Sequence, residues 1–249
     1  MSVDTIKKYL SGCLSGIVST LIFHPVDILR IRLFYEGTSL GKLNTFYNGI
    51  GFNLLTGCVK NMFVFPTQEH FKDIFVKKGY GEYKAEFYSS IVSGSLLSLI
   101  STPINVVKIP LQSNTINYSP LHIIKDIHKK YGIAGFYRGG GGTFLRDVSW
   151  NGVYFPLYKN LNENYIDNKI LSSILAGSIA MTVSYPFDGI RLYRQNNNKD
   201  YNFWFGFMRS FNLSKGNLQS YGTSILRIPT ATTVSHMCYL YLSQYLLSK

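Results

Sequence analysis

Acidic residues and cysteines are scarce in this sequence. Its 249 residues include 13 Asp and Glu against 25 Lys and Arg, which gives a formal net charge of +12. Such an excess of positive charge favours nucleic acid, anionic lipid or an anionic small molecule as the partner. The sequence contains no basic run, zinc-finger spacing or RNA-binding aromatic motif. We therefore predict no nucleic-acid partner and retain the lipid bilayer and an anionic small molecule.

Signatures of metal sites and of enzymes are missing as well. The three cysteines, Cys13, Cys58 and Cys238, lie in apolar segments without paired spacing, which predicts neither a disulfide nor a metal site. The glycine run at 139–142 lacks the Gly-Lys-[Ser/Thr] of a phosphate-binding loop. Neither a nucleophile–base pair nor a metal-ligand spacing of the five histidines stands out. The sequence therefore predicts a protein that is not an enzyme and has no cofactor.

Charged residues are also absent from four long segments, at residues 9–26, 87–107, 170–187 and 228–248. Each is nearly or fully as long as the roughly 20 residues that span a bilayer. Two further apolar segments are interrupted, one by Lys60 and the other by Arg146 and Asp147. The pattern predicts an all-α membrane protein with six transmembrane helices, of which the even-numbered ones are less hydrophobic.

The predicted transmembrane helices cover about residues 6–36, 49–76, 84–113, 140–163 and 169–195, and the sixth ends the chain. Residues 35–46 form a short connection. Residues 119–130 carry Leu121, Ile124 and Ile127 at helical spacing, which predicts an amphipathic surface helix. Residues 203–211 are rich in aromatic side chains and are expected at the membrane interface.

One motif, Pro-x-[Asp/Asn]-x-x-[Lys/Arg], occurs three times, at residues 25–30, 103–108 and 186–191. A glycine lies nine residues before each proline, and Gly or Ser lies thirteen residues before it. Small residues at this spacing let membrane helices approach closely, and offsets kept in three copies indicate an internal repeat. We predict a single domain over residues 1–249, built from three pseudo-symmetric repeats at about 1–80, 81–165 and 166–249.

The motif prolines Pro25, Pro103 and Pro186 are expected to kink their helices, because an interior proline removes a backbone hydrogen bond. The charges beside them cost on the order of 2.5 to 3.5 kcal/mol each near a bilayer centre, so such groups usually face a cavity. Lys7 and Lys8 precede an apolar stretch, which could indicate a secretory signal. Since that stretch contains the first motif, we predict helix one there and no cleavable presequence.

These repeats resemble the mitochondrial carriers, whose signature is Pro-x-[Asp/Glu]-x-x-[Lys/Arg]-x-[Lys/Arg] followed by a matrix segment and [aromatic]-[Lys/Arg]-Gly. The first copy matches through Arg32, and the second has Asn105 for the acid and Pro110 for the second base. The second copy adds Tyr-Arg-Gly at 137–139, and the third has Tyr193 at the second basic position. The resemblance covers essentially the whole chain. It implies an alternating-access antiporter in the mitochondrial inner membrane, with short matrix-side amphipathic helices and both termini outside the matrix.

A matrix gate follows from the threefold arrangement, in which the acid of one repeat pairs with the base of the next. The predicted pairs are Asp27 with Lys108, Asn105 with Arg191, and Asp188 with Arg30. The resemblance adds a glutamine below the ring, matched by Gln112 and Gln195. It also places a cytoplasmic gate on the even helices, where Glu69 and Lys72 match in part. Because the other even helices lack the pattern, we predict that this cytoplasmic gate is weak.

Substrate contacts in this family lie about halfway along the even helices. The matching positions are Val64, Arg146, Asp147 and Arg227. A buried arginine offers a fixed fork of donors that suits carboxylate or phosphate. Trp150 follows one turn after Arg146 and could stack on a base, and Asn151 could line the same path.

We predict nucleotides as the substrate and keep an amino-acid or carnitine-like substrate as the alternative. An Arg-Asp pair on helix four resembles amino-acid and carnitine carriers, because the acid can meet an ammonium group. The two cations Arg146 and Arg227, with Asp147 as one anion and Trp150 as a stacking aromatic side chain, favour nucleotides instead. The richness in Asn, Lys, Ile and Tyr and the short matrix loops also resemble a carrier encoded by an AT-rich giant virus, which implies exchange of nucleotides or deoxynucleotides such as dATP, ATP and ADP. A non-transporting membrane adaptor is the second alternative. We further expect a monomer, with cardiolipin as a candidate lipid partner.

Overall fold

The computed structural model describes residues 3–36, 47, 50–112, 119–196, 208 and 215–247. Within these ranges the chain is helical and has no strand, which confirms the predicted all-α class. The α-helices are α1 Val3–Glu36, α2 Ile50–Lys77, α3 Glu82–Gln112, α4 Pro120–Tyr131, α5 Gly140–Asn164, α6 Lys169–Asn196 and α7 Lys215–Leu247, with a 3-10 helix at Ile133–Tyr137.

The six long helices close into a ring. Each packs against its two neighbours in the order α1, α2, α3, α5, α6, α7, and α7 returns to α1. By length and composition, three described helices are apolar enough to cross a membrane, at Ile6–Leu33, Glu82–Gln112 and Lys169–Leu192. These are the odd-numbered helices of the sequence prediction, so the passage of α2, α5 and α7 through the bilayer and the repeat boundaries stay predictions.

Close packing within the ring depends on the repeat glycines. A Cβ added to Gly16 on α1 would lie 2.1 Å from the carbonyl oxygen of Gly57 on α2. A Cβ added to Gly94 on α3 would lie 2.8 Å from the carbonyl oxygen of Asp147 on α5. Both distances are shorter than any real Cβ contact, so no larger residue fits there without moving a helix. The predicted close approach of these small-residue faces is therefore present.

The motif prolines lie inside α1, α3 and α6; the kinks themselves stay a prediction. The amphipathic helix is α4, one residue later than predicted, with Ser119 as its N-cap. Of the predicted apolar stripe, Ile124 and Ile127 are half-buried and Leu121 is exposed, and Ile123 is buried beside them. Of the predicted connection at 35–46, the first two residues continue α1; the rest of it, and 203–211 except Met208, lie outside the described residues.

A disulfide joins Cys13 on α1 to Cys58 on α2, and Cys238 is free. The sequence-based expectation of no disulfide is therefore wrong. The two cysteines are 45 residues apart, and their spacing carries no signal. They meet because α1 and α2 pack closely. The Cα atoms of the two cysteines are only 4.2 Å apart. The bond fastens the first two helices of the ring to each other.

Candidate substrate-binding site

A cavity of about 150 Å³ lies inside the ring and is lined by residues from all six long helices. Its basic residues come from every one of these helices. They are Arg30, Lys60, Lys108, Arg146, Arg191 and Arg227. Among the described residues that line it, Asp27 is the one acid. The cavity is therefore strongly cationic.

The carboxylate of Asp27 is held from α7 and α2. Arg227 Nη2 donates a hydrogen bond to Asp27 Oδ2 over 2.6 Å, and Asn53 Nδ2 donates to the same oxygen over 3.2 Å. Lys108 has no carboxylate oxygen within 4.0 Å among the described residues, so the predicted Asp27–Lys108 pair is not formed here. Asp27 is instead held by Arg227 of α7, which packs directly against α1.

Asp188 on α6 is the centre of the second charge cluster. It pairs with Arg30 of α1, as predicted, and with Arg191 of its own helix at 2.7 Å. Arg146 Nη1 lies 3.9 Å from the same carboxylate. Arg30 is also fixed by its Nε, which donates to Ser224 Oγ over 2.6 Å. One carboxylate thus gathers guanidinium groups from three helices.

The other predicted gate residues are buried near these clusters. Asn105, the predicted partner of Arg191, is buried and lines the cavity, but the carboxylate that Arg191 pairs with is Asp188. Gln195 Nε2 donates to Thr143 Oγ1 over 3.1 Å, which ties α6 to α5. Gln112 lines the cavity, and its amide has no hydrogen-bond partner within the described part of the chain.

Five of the six predicted contact residues line the cavity. They are Val64, Arg146, Trp150, Asn151 and Arg227. The indole of Trp150 stacks on Tyr154, with ring centroids 5.9 Å apart. Asp147 is the exception, because it is 3% exposed, lies outside the lining and accepts a 2.5 Å hydrogen bond from Arg146 Nη2. Its carboxylate therefore neutralises Arg146.

Sequence reasoning missed Lys60, which it treated as an interruption of a span. Asn53, Thr56, Lys60 and Val64 follow one another at three- or four-residue steps along α2, and all line the cavity. That spacing places them on one helix face. The signal was present in the sequence, since Lys60 lies one turn before the predicted contact Val64.

Ion pairs tie the helices together at the opposite end of the ring from the motifs. Lys8 of α1 pairs with Glu69 of α2 at 2.7 Å, and Lys72 of α2 pairs with Glu86 of α3 at 2.7 Å. Lys159 of α5 pairs with Glu82 of α3, and Tyr239 of α7 donates to Glu69 over 2.9 Å. These contacts extend the predicted cytoplasmic gate of Glu69 and Lys72 to four further helices, and their role as a gate stays a prediction. Glu82 and Glu86 escaped notice because they lie outside the repeated pattern.

A layer of aromatic rings separates the central cavity from this ion-paired end. Phe65 and Phe155 line both the central cavity and a second cavity among the ion pairs. Phe65 stacks on His236 and on Tyr239, with centroid distances of 5.3 and 4.8 Å. The hydroxyl of Tyr154 lies 2.9 Å from His236 Nδ1. These rings join α2, α5 and α7 above the cavity.

The six long helices thus form a ring around a charged cavity, with ion pairs at both ends. A family model described as mitochondrial carrier protein matches residues 82–169. Mitochondrial substrate carrier family protein X of Dictyostelium discoideum is 24% identical over 215 residues, covering 74% of this chain and 71% of that protein.

Two further relatives have named substrates. The mitochondrial glycine transporter of Saccharomyces cerevisiae is 26% identical over 241 residues, covering 75% of this chain and 78% of its own. The mitochondrial arginine transporter BAC2 of Arabidopsis thaliana is 24% identical over 227 residues, covering 78% of this chain and 75% of that protein. The chain is thus similar to mitochondrial carriers over about three quarters of its length, and the family model matches its middle third. Two of these relatives are named as mitochondrial transporters.

Proposed function

We propose that this carrier exchanges anionic metabolites, foremost nucleotides and deoxynucleotides such as dATP, ATP and ADP, across the inner membrane. The charge of the cavity carries this proposal. Six basic side chains line it, and the carboxylates paired with them are Asp27, Asp147 and Asp188, so the described cluster has an excess of three positive charges. Uncompensated charge inside a bilayer is costly. An anionic substrate would supply the missing negative charge.

Nucleotides combine several negative charges with an aromatic base. Phosphate groups suit the cationic wall, because arginine and lysine both bind phosphate by charge-assisted hydrogen bonds. Trp150 offers an aromatic surface on the same cavity, and stacking of a base on an aromatic side chain is worth about 1–3 kcal/mol. The two features together support a nucleotide more than a simple carboxylate.

Exchange would proceed by alternating access around the central cavity. The end opposite to the motifs has ion pairs on four of the long helices and an aromatic layer beneath them. At the motif end, the Arg30–Asp188 pair is made while Asp27 and Lys108 are apart. In the other state of the cycle, the predicted pairs of the matrix gate would all form. The ion pairs at the opposite end would then loosen.

The outer surface of the helix ring suits a position in the bilayer. Large apolar side chains such as Leu14, Leu21, Leu99 and Ile179 are exposed on the outside of α1, α3 and α6. Such a surface suits a bilayer. A monomeric carrier with cardiolipin among its lipid partners stays part of the proposal on the strength of the family resemblance.

A second candidate is an amino-acid substrate. It is favoured by the relatives, which are named as glycine and arginine transporters. An amino acid would need a carboxylate of the cavity for its ammonium group, and Asp147 was the expected one. Asp147 lies outside the lining and already pairs with Arg146, and the acid of the lining, Asp27, is held by Arg227. These pairings support the anionic substrate.

Counter-exchange in proteoliposomes tests the proposal. Liposomes containing the purified protein are loaded with dATP, ADP, glycine, arginine, carnitine or a dicarboxylate, and uptake of each labelled compound is measured. We expect uptake of labelled nucleotides that depends on internal nucleotide and is absent from liposomes without protein. Exchange of glycine or arginine without exchange of any anion would favour the second candidate. No exchange of any compound would favour the adaptor.

A further inference from the structure

We propose that Lys60 is a specificity-determining ligand for a phosphate or carboxylate group of the substrate, an assignment that rests on the proposed anion exchange. Lys60 lies in the middle of α2, is half-buried and lines the central cavity. Within the described ranges, no carboxylate oxygen lies within 4.0 Å of its ammonium nitrogen. Its positive charge therefore faces the cavity without a protein counter-charge.

The arginines of the cavity differ from Lys60 in this respect. Arg227 is paired with Asp27, and Arg146 is paired with Asp147. Arg30 and Arg191 share Asp188. The guanidinium groups that the sequence marked as substrate ligands are thus occupied by protein carboxylates in this state. An entering anion meets the lysines without first displacing an acid.

Lys108 is the other cavity lysine without a carboxylate partner among the described residues. Its position in the repeated motif explains why this partner is missing. Its predicted partner Asp27 is part of the same ring and is held by Arg227 in this structure. No such partner is predicted for Lys60, which lies outside the repeated motif. The charged groups that act most on Lys60 are the cations Arg146, Arg191 and Arg227 and the acid Asp147. Its surroundings are therefore positive on balance.

The position of Lys60 also places it beside the other expected contacts. Thr56 and Val64 lie one turn before and one turn after it on the same face of α2, and Arg146 and Trp150 on α5 line the same cavity. A lysine ammonium is a compact point charge on a flexible stem. It can follow an anionic group that enters the field of Arg146, which makes Lys60 suited to select for negative charge.

Three variants test this assignment. Lys60→Met removes the charge and keeps most of the side-chain length, and Lys60→Arg keeps the charge. Lys77→Met is the matched control, because Lys77 is exposed at the end of the same helix. For each protein, KM and kcat of nucleotide exchange are measured in proteoliposomes. The stabilisation of the detergent-purified protein by each nucleotide is measured as a shift in melting temperature.

We expect Lys60→Met to raise KM for nucleotide about tenfold, the loss of one hydrogen bond to a charged group, and to reduce the nucleotide-induced shift in melting temperature. Lys60→Arg should restore most of both, and Lys77→Met should behave as the parent. A merely structural role would lower the melting temperature without ligand and leave the ligand-induced shift unchanged.

The possible failures are distinguishable. If the parent exchanges nucleotides and Lys60→Met keeps the parental KM and the parental ligand-induced shift, the assignment of Lys60 is wrong and the proposed function stands. If the parent exchanges another anion, and that anion loses affinity in Lys60→Met, the assignment holds and the nucleotide proposal is wrong. If the parent exchanges only glycine or arginine, with the same KM in Lys60→Met, both are wrong.

Discussion

Arg227 on α7 holds the carboxylate of Asp27 on α1, with 2.6 Å between Nη2 and Oδ2. The residue that the family resemblance places at the substrate site thus occupies the acid of the first motif. An anion that binds Arg227 would compete with Asp27 for the guanidinium group. Asp27 would then be released toward Lys108, which lacks a carboxylate partner among the described residues. Substrate binding and closure of the motif ring would be linked through one carboxylate.

This linkage predicts coupling between Asp27 and Lys108 during transport. We expect Asp27→Asn and Lys108→Met each to slow nucleotide exchange, and the double variant to be about as slow as the slower single variant, because residues that act as a pair are not additive. Exchange rates of the four proteins give the coupling. Lys125→Met is the control, since Lys125 is exposed on α4. Losses that simply add would show that the two residues do not meet in the cycle.

Asp147 separates the two substrate classes. If the substrate is a nucleotide, Asp147→Asn should retain exchange, because the carboxylate lies outside the cavity lining and its removal makes the cavity more positive. The melting temperature should fall, since Arg146 loses its counter-charge. If the substrate is an amino acid, loss of the ammonium partner should slow exchange by about a hundredfold or more. Uptake of labelled dATP, glycine and arginine decides, with Asp126→Asn on the exposed face of α4 as the control.

Asn105 is the polar residue that replaces an acid in the second motif. It is 2% exposed, lines the cavity and precedes Lys108 by three residues on the same helix. Asn105→Asp would add a carboxylate beside an excess of positive charge. We expect a higher melting temperature and slower exchange, since the ring would be closed more firmly. Asn164→Asp, at an exposed position on α5, controls for added charge. An unchanged melting temperature and rate would contradict this role.

The Cys13–Cys58 bond predicts the labelling of the denatured protein. In SDS without reductant, a maleimide-polyethylene glycol reagent should add one group, at Cys238, and after reduction it should add three. Removing a disulfide typically costs about 2–4 kcal/mol, so Cys13→Ser should lower the melting temperature. Cys238→Ser should not, since Cys238 is free. Three labels before reduction would show that the bond is absent.

The sequence by itself determined the class of this protein. The charge-free segments, the three motifs and the small residues at fixed offsets are all local patterns, and a periodic pattern states which face of a helix is apolar, small or charged. The helices α1, α3 and α6 and the close approach at Gly16 and Gly94 follow from these patterns alone.

Only the tertiary structure decided which charges meet. The ring symmetry predicted Arg30 with Asp188, and that pair is present. The same symmetry predicted Asp27 with Lys108, but Arg227 reaches Asp27 from the adjacent helix α7. A repeat indicates which residues occupy equivalent positions. The partner of a charged side chain depends on which oppositely charged group is nearest once the helices have packed.

The disulfide and the cavity face of Lys60 were decided in the same way. Cys13 and Cys58 are far apart in the chain, and only the packing of α1 on α2 brings their sulfur atoms together. Lys60 had the appearance of an interruption because a charge in an apolar segment opposes membrane insertion when the segment is considered alone. Inside the ring the same charge faces a polar cavity, and its cost depends on the side chains of five other helices that no local pattern of α2 contains.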